Sequence, residues 1–176
     1  KYIDDLSLLT VKPMMYVCNV DDEAAVNGNE YVNKVKEYLK DEETEILVLA
    51  ARLEAEISEL DEDDRKDFLE DAGLTEPGVA KLVRSAYSML KLMSFFTVGP
   101  KENRSWSIRK GMTAPQAAGV IHSDLERGFI RAEVIKYDDF ITLGSENACK
   151  VAGKLGVEGK NYVVGDGDIL HIRFNV

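Results

Sequence analysis

The sequence predicts a chain in two parts, an α/β arrangement over residues 1–91 followed by an α+β arrangement over 92–176. Three observations predict this. Met14, Met15, Tyr16, Val17 and Cys18 are apolar at every position, as suits a strand covered on both faces of a parallel sheet. Past Leu92 the hydrophobic period changes to two, the mark of strands buried on one face. Charge changes at the same place. Residues 1–91 carry 22 carboxylates against 11 Lys plus Arg, a balance of −11, and residues 92–176 carry 10 against 11, a balance of +1.

In the first part, Pro13 fits only at the start of a strand. Asn27-Gly28-Asn29 is a turn signal, and Tyr31, Val32, Val35, Tyr38 and Leu39 then recur at helical spacing. Glu45 to Ala51 reads as a second buried strand. Strand, helix, strand implies a parallel pair with a crossover helix. From Glu54 to Leu92 the pattern is helical. Asp61 caps a helix whose first turn holds Glu62, Asp63 and Asp64, its inner face carries Phe68 and Leu69, and Gly73 ends it. Another helix starts near Pro77, with Val79, Leu82, Val83, Ala86, Tyr87 and Leu90 on one stripe. The acidic run is a solvated face or, alternatively, a surface that repels nucleic acid.

In the second part, Phe95–Val98 adds a strand, and three further stretches alternate. Trp106 and Ile108 point in, with Ser105, Ser107 and Arg109 out. Ile130, Ala132 and Val134 point in, with Phe129, Arg131 and Glu133 out. Leu170, Ile172 and Phe174 point in, with His171 and Arg173 out. Thr113-Ala114-Pro115, followed by Ala117, Ala118, Val120 and Ile121, is a capped helix lying across the apolar face. Residues 138–143 and 147–155 suggest short helices before the turn at Gly165-Asp166-Gly167. A small mixed sheet with one helix across it is the β-grasp plan.

Composition excludes several classes. The longest apolar runs fall far short of the roughly 20 residues needed to span a bilayer. The sequence begins at Lys1 without an amino-terminal signal, and reads as a soluble cytosolic fragment. Cys18, Cys149, His122 and His171 have no metal-ligand spacing, so no metal site is expected. Gly165-Asp166-Gly167-Asp168 lacks the other ligands of a calcium loop. His122-Ser123-Asp124 holds triad residue types, but adjacent residues cannot face one another as nucleophile, base and orienter. A net charge of −10 makes a poor general phosphate binder, so any RNA contact belongs to the second half.

Ligands of open α/β sheets sit at the carboxyl ends of strands, which singles out Asn19 and Asp22. Either could instead cap the following helix. Lys12-Pro-x-x-Tyr-x-x-Asn-Val-Asp-Asp22, Pro115-Gln116-Ala117-Ala118-Gly119, Arg127-Gly-Phe-Ile-Arg-Ala-Glu133 and the ending Asp166-Gly-Asp-Ile to Phe174-Asn-Val176 together resemble the carboxyl-terminal half of YchF-type GTP-binding proteins, the Obg-like ATPase family. The resemblance runs from about Leu9 to Val176. It implies a partial P-loop nucleotidase sheet over 1–91 and a TGS domain, a β-grasp module, over 92–176. It places the nucleotide base against Asn19, Val20, Asp22, Ala50 and Ala51. Two alanines at a strand end would, by themselves, be ordinary structure.

GTPases read guanine with Asn-Lys-x-Asp, and this family departs from that with Asn-x-x-Glu. Here the fourth residue is Asp22 and the Lys is absent, which leaves ATP against GTP open. No Gly-x-x-x-x-Gly-Lys-[Ser/Thr] loop occurs in these residues, so no catalytic residue is assigned. The resemblance implies a ribosome-associated, cytoplasmic ATP or GTP hydrolase that uses Mg when intact; the fragment alone is expected neither to hydrolyse nor to hold nucleotide tightly. The alternative is a stand-alone β-grasp adaptor for RNA or protein. Arg109, Arg131, His171 and Arg173, with Phe129 for stacking, are the expected ribosome or RNA contact, although Arg131 could simply pair with Glu133. An incomplete sheet would leave a strand edge open to self-association.

Overall fold

The computed structural model describes residues 8–42, 44–99 and 102–175. The chain divides into two compact units, one ending at Met89 and one starting at Leu90.

In the first unit, β1 (Met15–Asn19) and β2 (Glu45–Leu49) pair in parallel with Asn19 opposite Leu49, so both strands end at the same level. Gly28 makes the turn before the crossover helix α1 (Glu30–Tyr38) at a φ of +73° that favours glycine, and the Asn29 side chain accepts from the N–H groups of Tyr31 and Val32. Three helices follow: α2 (Ala51–Glu59), α3 (Glu62–Asp71), capped by Asp61 as expected, and α4 (Gly78–Met89). Ala50, Leu53 and Ile57 are buried against Val20, Phe68, Leu69 and Leu74.

Two expectations need correction. No residue of β1 is buried, and Val17 is 45% exposed. Among the described residues its sheet has only two strands, so one edge and much of one face of β1 meet solvent. Val79 and Val83 on α4, and Leu90 just past its end, are exposed rather than inward. Ser85 is the buried position, its hydroxyl 2.6 Å from the Glu45 carboxylate on β2, so the packed face is rotated from the purely apolar stripe.

The second unit is a five-stranded sheet in the order β4-β3-β7-β5-β6, built from β3 (Leu92–Val98), β4 (Asn103–Arg109), β5 (Phe129–Ile135), β6 (Gly156–Glu158) and β7 (Ile169–Phe174). β3 and β7 are parallel and all other pairs antiparallel. Helix α5 (Ala114–Ile121) lies on one face. Ala114, Ala117 and Ala118 are fully buried, and such small side chains let the helix approach Met93, Phe95, Ile108, Val134 and Leu170. Thr113 and Gln116 form a capping box at its start. A short helix, α6 (Ser123–Arg127), follows, with His122 Nδ1 accepting from the Asp124 N–H at 3.2 Å; this is the capping role, not a triad.

Three corrections fall here. Between β5 and β7, Phe129 lies opposite Phe174 and Arg131 opposite Arg173, so Ile130 is an extra residue in a bulge. The bulge turns Phe129 inward, 4% exposed, and leaves Ile130 54% exposed, the reverse of simple alternation. Phe174, at the strand end, is exposed too, and Trp106 and Ile172 are only half-buried at the core's margin. The sheet's other face is also partly covered. Ile135, Cys149 and Ile169 are buried there with Phe96, Val98, Phe140 and Leu155, drawing on α7 (Tyr137–Leu143) and α8 (Glu146–Val151).

Among the described residues, no helix is long and apolar enough to cross a membrane.

Candidate nucleotide-base site

The parallel register brings the carboxyl ends of β1 and β2 together, and the side chains singled out by sequence meet there. Asn19 Oδ1 accepts from the Ala51 N–H at 3.0 Å, tying the end of β1 to the first residue of α2. Val20 N–H donates to the Leu49 carbonyl at 2.9 Å, continuing the ladder one residue beyond the strand. Asp22 opens a 3₁₀ turn (Asp22–Ala24) that is capped by its neighbour: the Asp21 carboxylate accepts from the Ala24 N–H at 3.1 Å. Neither Asn19 nor Asp22 therefore caps the helix that follows it, although Asn19 takes up a free N–H at the start of α2. With the Asn19 oxygen engaged, its amino group is what remains for a ligand.

Two residues differ from expectation. Ala50 is 2% exposed in the core beneath the loop, leaving Ala51 as the exposed alanine. Asp22 is not a free carboxylate, because the Arg52 guanidinium is hydrogen-bonded to its Oδ2. That hydrogen bond, then the charge of Asp22, then that of Glu56, raise the Arg52 pKa above its ordinary value.

The expected RNA face does not hold together as one surface. Phe129 is buried and cannot stack on a base. Arg173 donates to both Glu133 oxygens, at 3.3 and 3.1 Å, and Arg131 lies 3.9 Å from the same carboxylate. Arg109 stands opposite Leu92, four residues before Phe96 on β3, whereas Arg173 lies four residues past Ile169, the partner of Phe96. At about 3.3 Å per residue they are roughly 26 Å apart along the strands. His171 lies on the same side as Arg173 and is exposed.

The YchF-GTPase carboxyl-terminal family model, described as a protein of unknown function (DUF933), matches residues 92–175. The chain is 48% identical over its full length to the Ribosome-binding ATPase YchF of Bacillus subtilis, covering 49% of that protein. It is 46% identical to Obg-like ATPase 1 of Rattus norvegicus over 96% of the chain and 43% of the relative. These matches make the chain similar to proteins of the YchF/Obg-like ATPase family. A solved structure of the Schizosaccharomyces pombe YchF GTPase superposes with a TM-score of 0.83 at 34% identity, covering 97% of this chain and 46% of that one. The chain thus spans about half the length of the YchF relatives it matches.

Sequence reasoning missed Arg52 and one further cluster. Arg52 directly follows the two alanines, but nothing in a linear reading aims it at Asp22, 30 residues earlier. In the second unit Asp168 is fully buried: Oδ1 accepts from Lys136 Nζ at 2.6 Å, and Oδ2 accepts from the Tyr162 hydroxyl at 2.6 Å and the Gly165 N–H at 2.7 Å. Burial pulls the Lys136 pKa down more than any other single influence, yet its hydrogen bonds to Asp168 and Tyr162 together with their charges outweigh it and the pKa ends raised. Burial and the hydrogen bond to Asp168 raise that of Tyr162. An Asp placed immediately before an apolar strand was the available signal. Among the described residues no group of acidic, His or Cys side chains is arranged to hold a metal.

Proposed function

We propose that residues 1–91 carry the base-recognition end of a P-loop ATPase or GTPase site, whose phosphate- and Mg-binding part lies in sequence outside this chain, and that residues 92–176 are a TGS domain of β-grasp type. The observation that carries the first reading is the Asn19–Ala51 hydrogen bond at the joint carboxyl ends of β1 and β2, with Asp22 beside it. Such a place suits a flat heterocycle, offering an exposed carboxamide, a carboxylate and a small residue. The chain itself has no phosphate loop, so hydrolysis of ATP or GTP belongs to the intact protein.

The second reading is supported by the order β4-β3-β7-β5-β6 with a central parallel pair and a crossing helix. Relatives are named ribosome-binding. For this chain we place the ribosome or RNA contact around Arg109 on β4, an edge strand, which carries Arg104 and Arg109, is followed by Lys110 and contains no acidic residue. Arg104 stacks 4.3 Å over the Trp106 ring. Arg131 and Arg173 serve Glu133 instead. The working location is the cytoplasm.

Competition between ATP and GTP in the full-length protein tests the base site: Asp22→Glu moves preference towards ATP, and Asn19→Ala weakens both nucleotides. Unchanged binding in both variants refutes it. Cosedimentation with ribosomes at moderate salt tests the contact surface. Arg109→Glu with Lys110→Glu abolishes binding, whereas Arg173→Glu leaves most of it; equal effects would return the contact to the sheet face.

A further inference from the structure

We propose that Arg52 is a specificity-determining residue of the base site: it occupies Asp22 when no base is bound and so handicaps guanine against adenine. The inference rests on reading this end of the unit as the base site. Guanine is read by a carboxylate because it offers two donors side by side, N1–H and the exocyclic amino group. Both carboxylate oxygens must then accept from the ring edge, so a second donor held on either of them competes with guanine. Here Asp22 Oδ2 is held by the Arg52 guanidinium. Adenine offers an unprotonated N1 at the same edge and gains nothing from a free carboxylate, so only guanine has to displace the arginine.

The surroundings make this exchange specific. Asp21, the neighbouring acid, has its Oδ1 engaged in capping the Ala24 N–H. Arg52 occupies the first turn of α2 with a side chain 76% exposed, so it has room to leave, while Asp22 is 27% exposed and stays with its turn. Glu56, one turn further along α2, adds a second negative charge that favours the guanidinium and gives it somewhere to go. Having Asp rather than Glu at position 22 is therefore no simple shift towards guanine, since the carboxylate comes with its own cation. An exposed ion pair contributes little, so the handicap should be roughly twofold to fivefold in relative affinity.

Titration calorimetry of the full-length protein with ATP and with GTP provides the test. Arg52→Ala should raise the GTP-to-ATP affinity ratio roughly twofold to fivefold, Arg52→Lys should stay near the parent, and in an Asp22→Asn background Arg52→Ala should change nothing more. An unchanged ratio in Arg52→Ala, alongside a changed one in Asp22→Asn, overturns the role of Arg52 and leaves the base site standing. An equal effect of Arg52→Ala with and without Asp22 also overturns it, since the arginine would then act by another route. If Asn19→Ala and Asp22→Asn alter neither nucleotide, the base-site reading falls and this inference with it.

Discussion

β1 and β3 are similarly apolar in sequence, yet they end in opposite circumstances. β3 lies between β4 and β7 with packing on both faces, and Phe95 has no exposed surface. Among the described residues β1 has a single neighbour and not one buried residue; Met14, Val17, Tyr31 and Tyr38 in and around it are exposed. An apolar run therefore records a demand for cover without saying where the cover comes from. The second unit meets that demand from its own helices, whereas the first encloses Ala50, Leu53 and Ile57 against α3 and buries Val32, Leu39 and Leu47, yet leaves β1 without full cover.

The sharpest way to break this comparison is to truncate a side chain in the core of the second unit. Phe95→Ala should cost about 3–5 kcal/mol, read by urea unfolding through Trp106, the single tryptophan, which reports on the second unit. A loss under about 1 kcal/mol would mean that the sheet is not the closed core described.

Asp168→Asn comes next. An amide cannot accept from Lys136, Tyr162 and the Gly165 N–H as a carboxylate does, and about 1–3 kcal/mol should be lost from the same transition. Adding Tyr162→Phe should cost much less than it does alone, because the hydroxyl will already have lost its partner. Full additivity would show that the three groups do not act together.

A smaller, pH-dependent effect is expected at Glu133. The hydrogen bonds from Arg173 hold its pKa below the ordinary 4.5, against the opposing effect of burial and with help from the charges of Arg173, His171 and Arg131. A carboxyl whose folded pKa is depressed stabilises the fold above its unfolded value, and that contribution disappears as the pH falls through the folded one. Glu133→Gln should therefore cost about 0.5–1 kcal/mol at pH 7 and nothing well below pH 4.5. A gap that persists into acid would point to packing, not charge.

The smallest effect belongs to β1. Val17→Ala should change the stability of this chain by less than about 0.5 kcal/mol, as at an exposed surface position. The same substitution in a chain of the relatives' full length should cost more if the additional residues cover β1. Equal small losses in both would leave β1 a surface strand.

Much of the site was legible because it depends on local order. A run of apolar residues stopped by Asn19 and Asp22 marks a strand end, and the strand-helix-strand spacing fixes a parallel partner whose end must lie beside it. What could not be read was which atoms meet. Arg52 reaches Asp22 and Asp21 takes over the cap, and both depend on how a helix start and a 3₁₀ turn approach across 30 residues. Ala50 and Ala51 are alike in sequence, yet one faces the core and the other the ligand side.

By itself the sequence determined the element types, the change of period near Leu92, the capped helices at Asp61 and Thr113, and the family motifs, since each is set by residues within a few positions of one another. Only the tertiary structure decided that Phe129 is inside and Ile130 outside, that Arg131 and Arg173 converge on Glu133, and that α7 and α8 close the second face of the sheet. The physical reason is register. One extra residue in a strand reverses the side chains beyond it, and which strand lies alongside settles which charges meet.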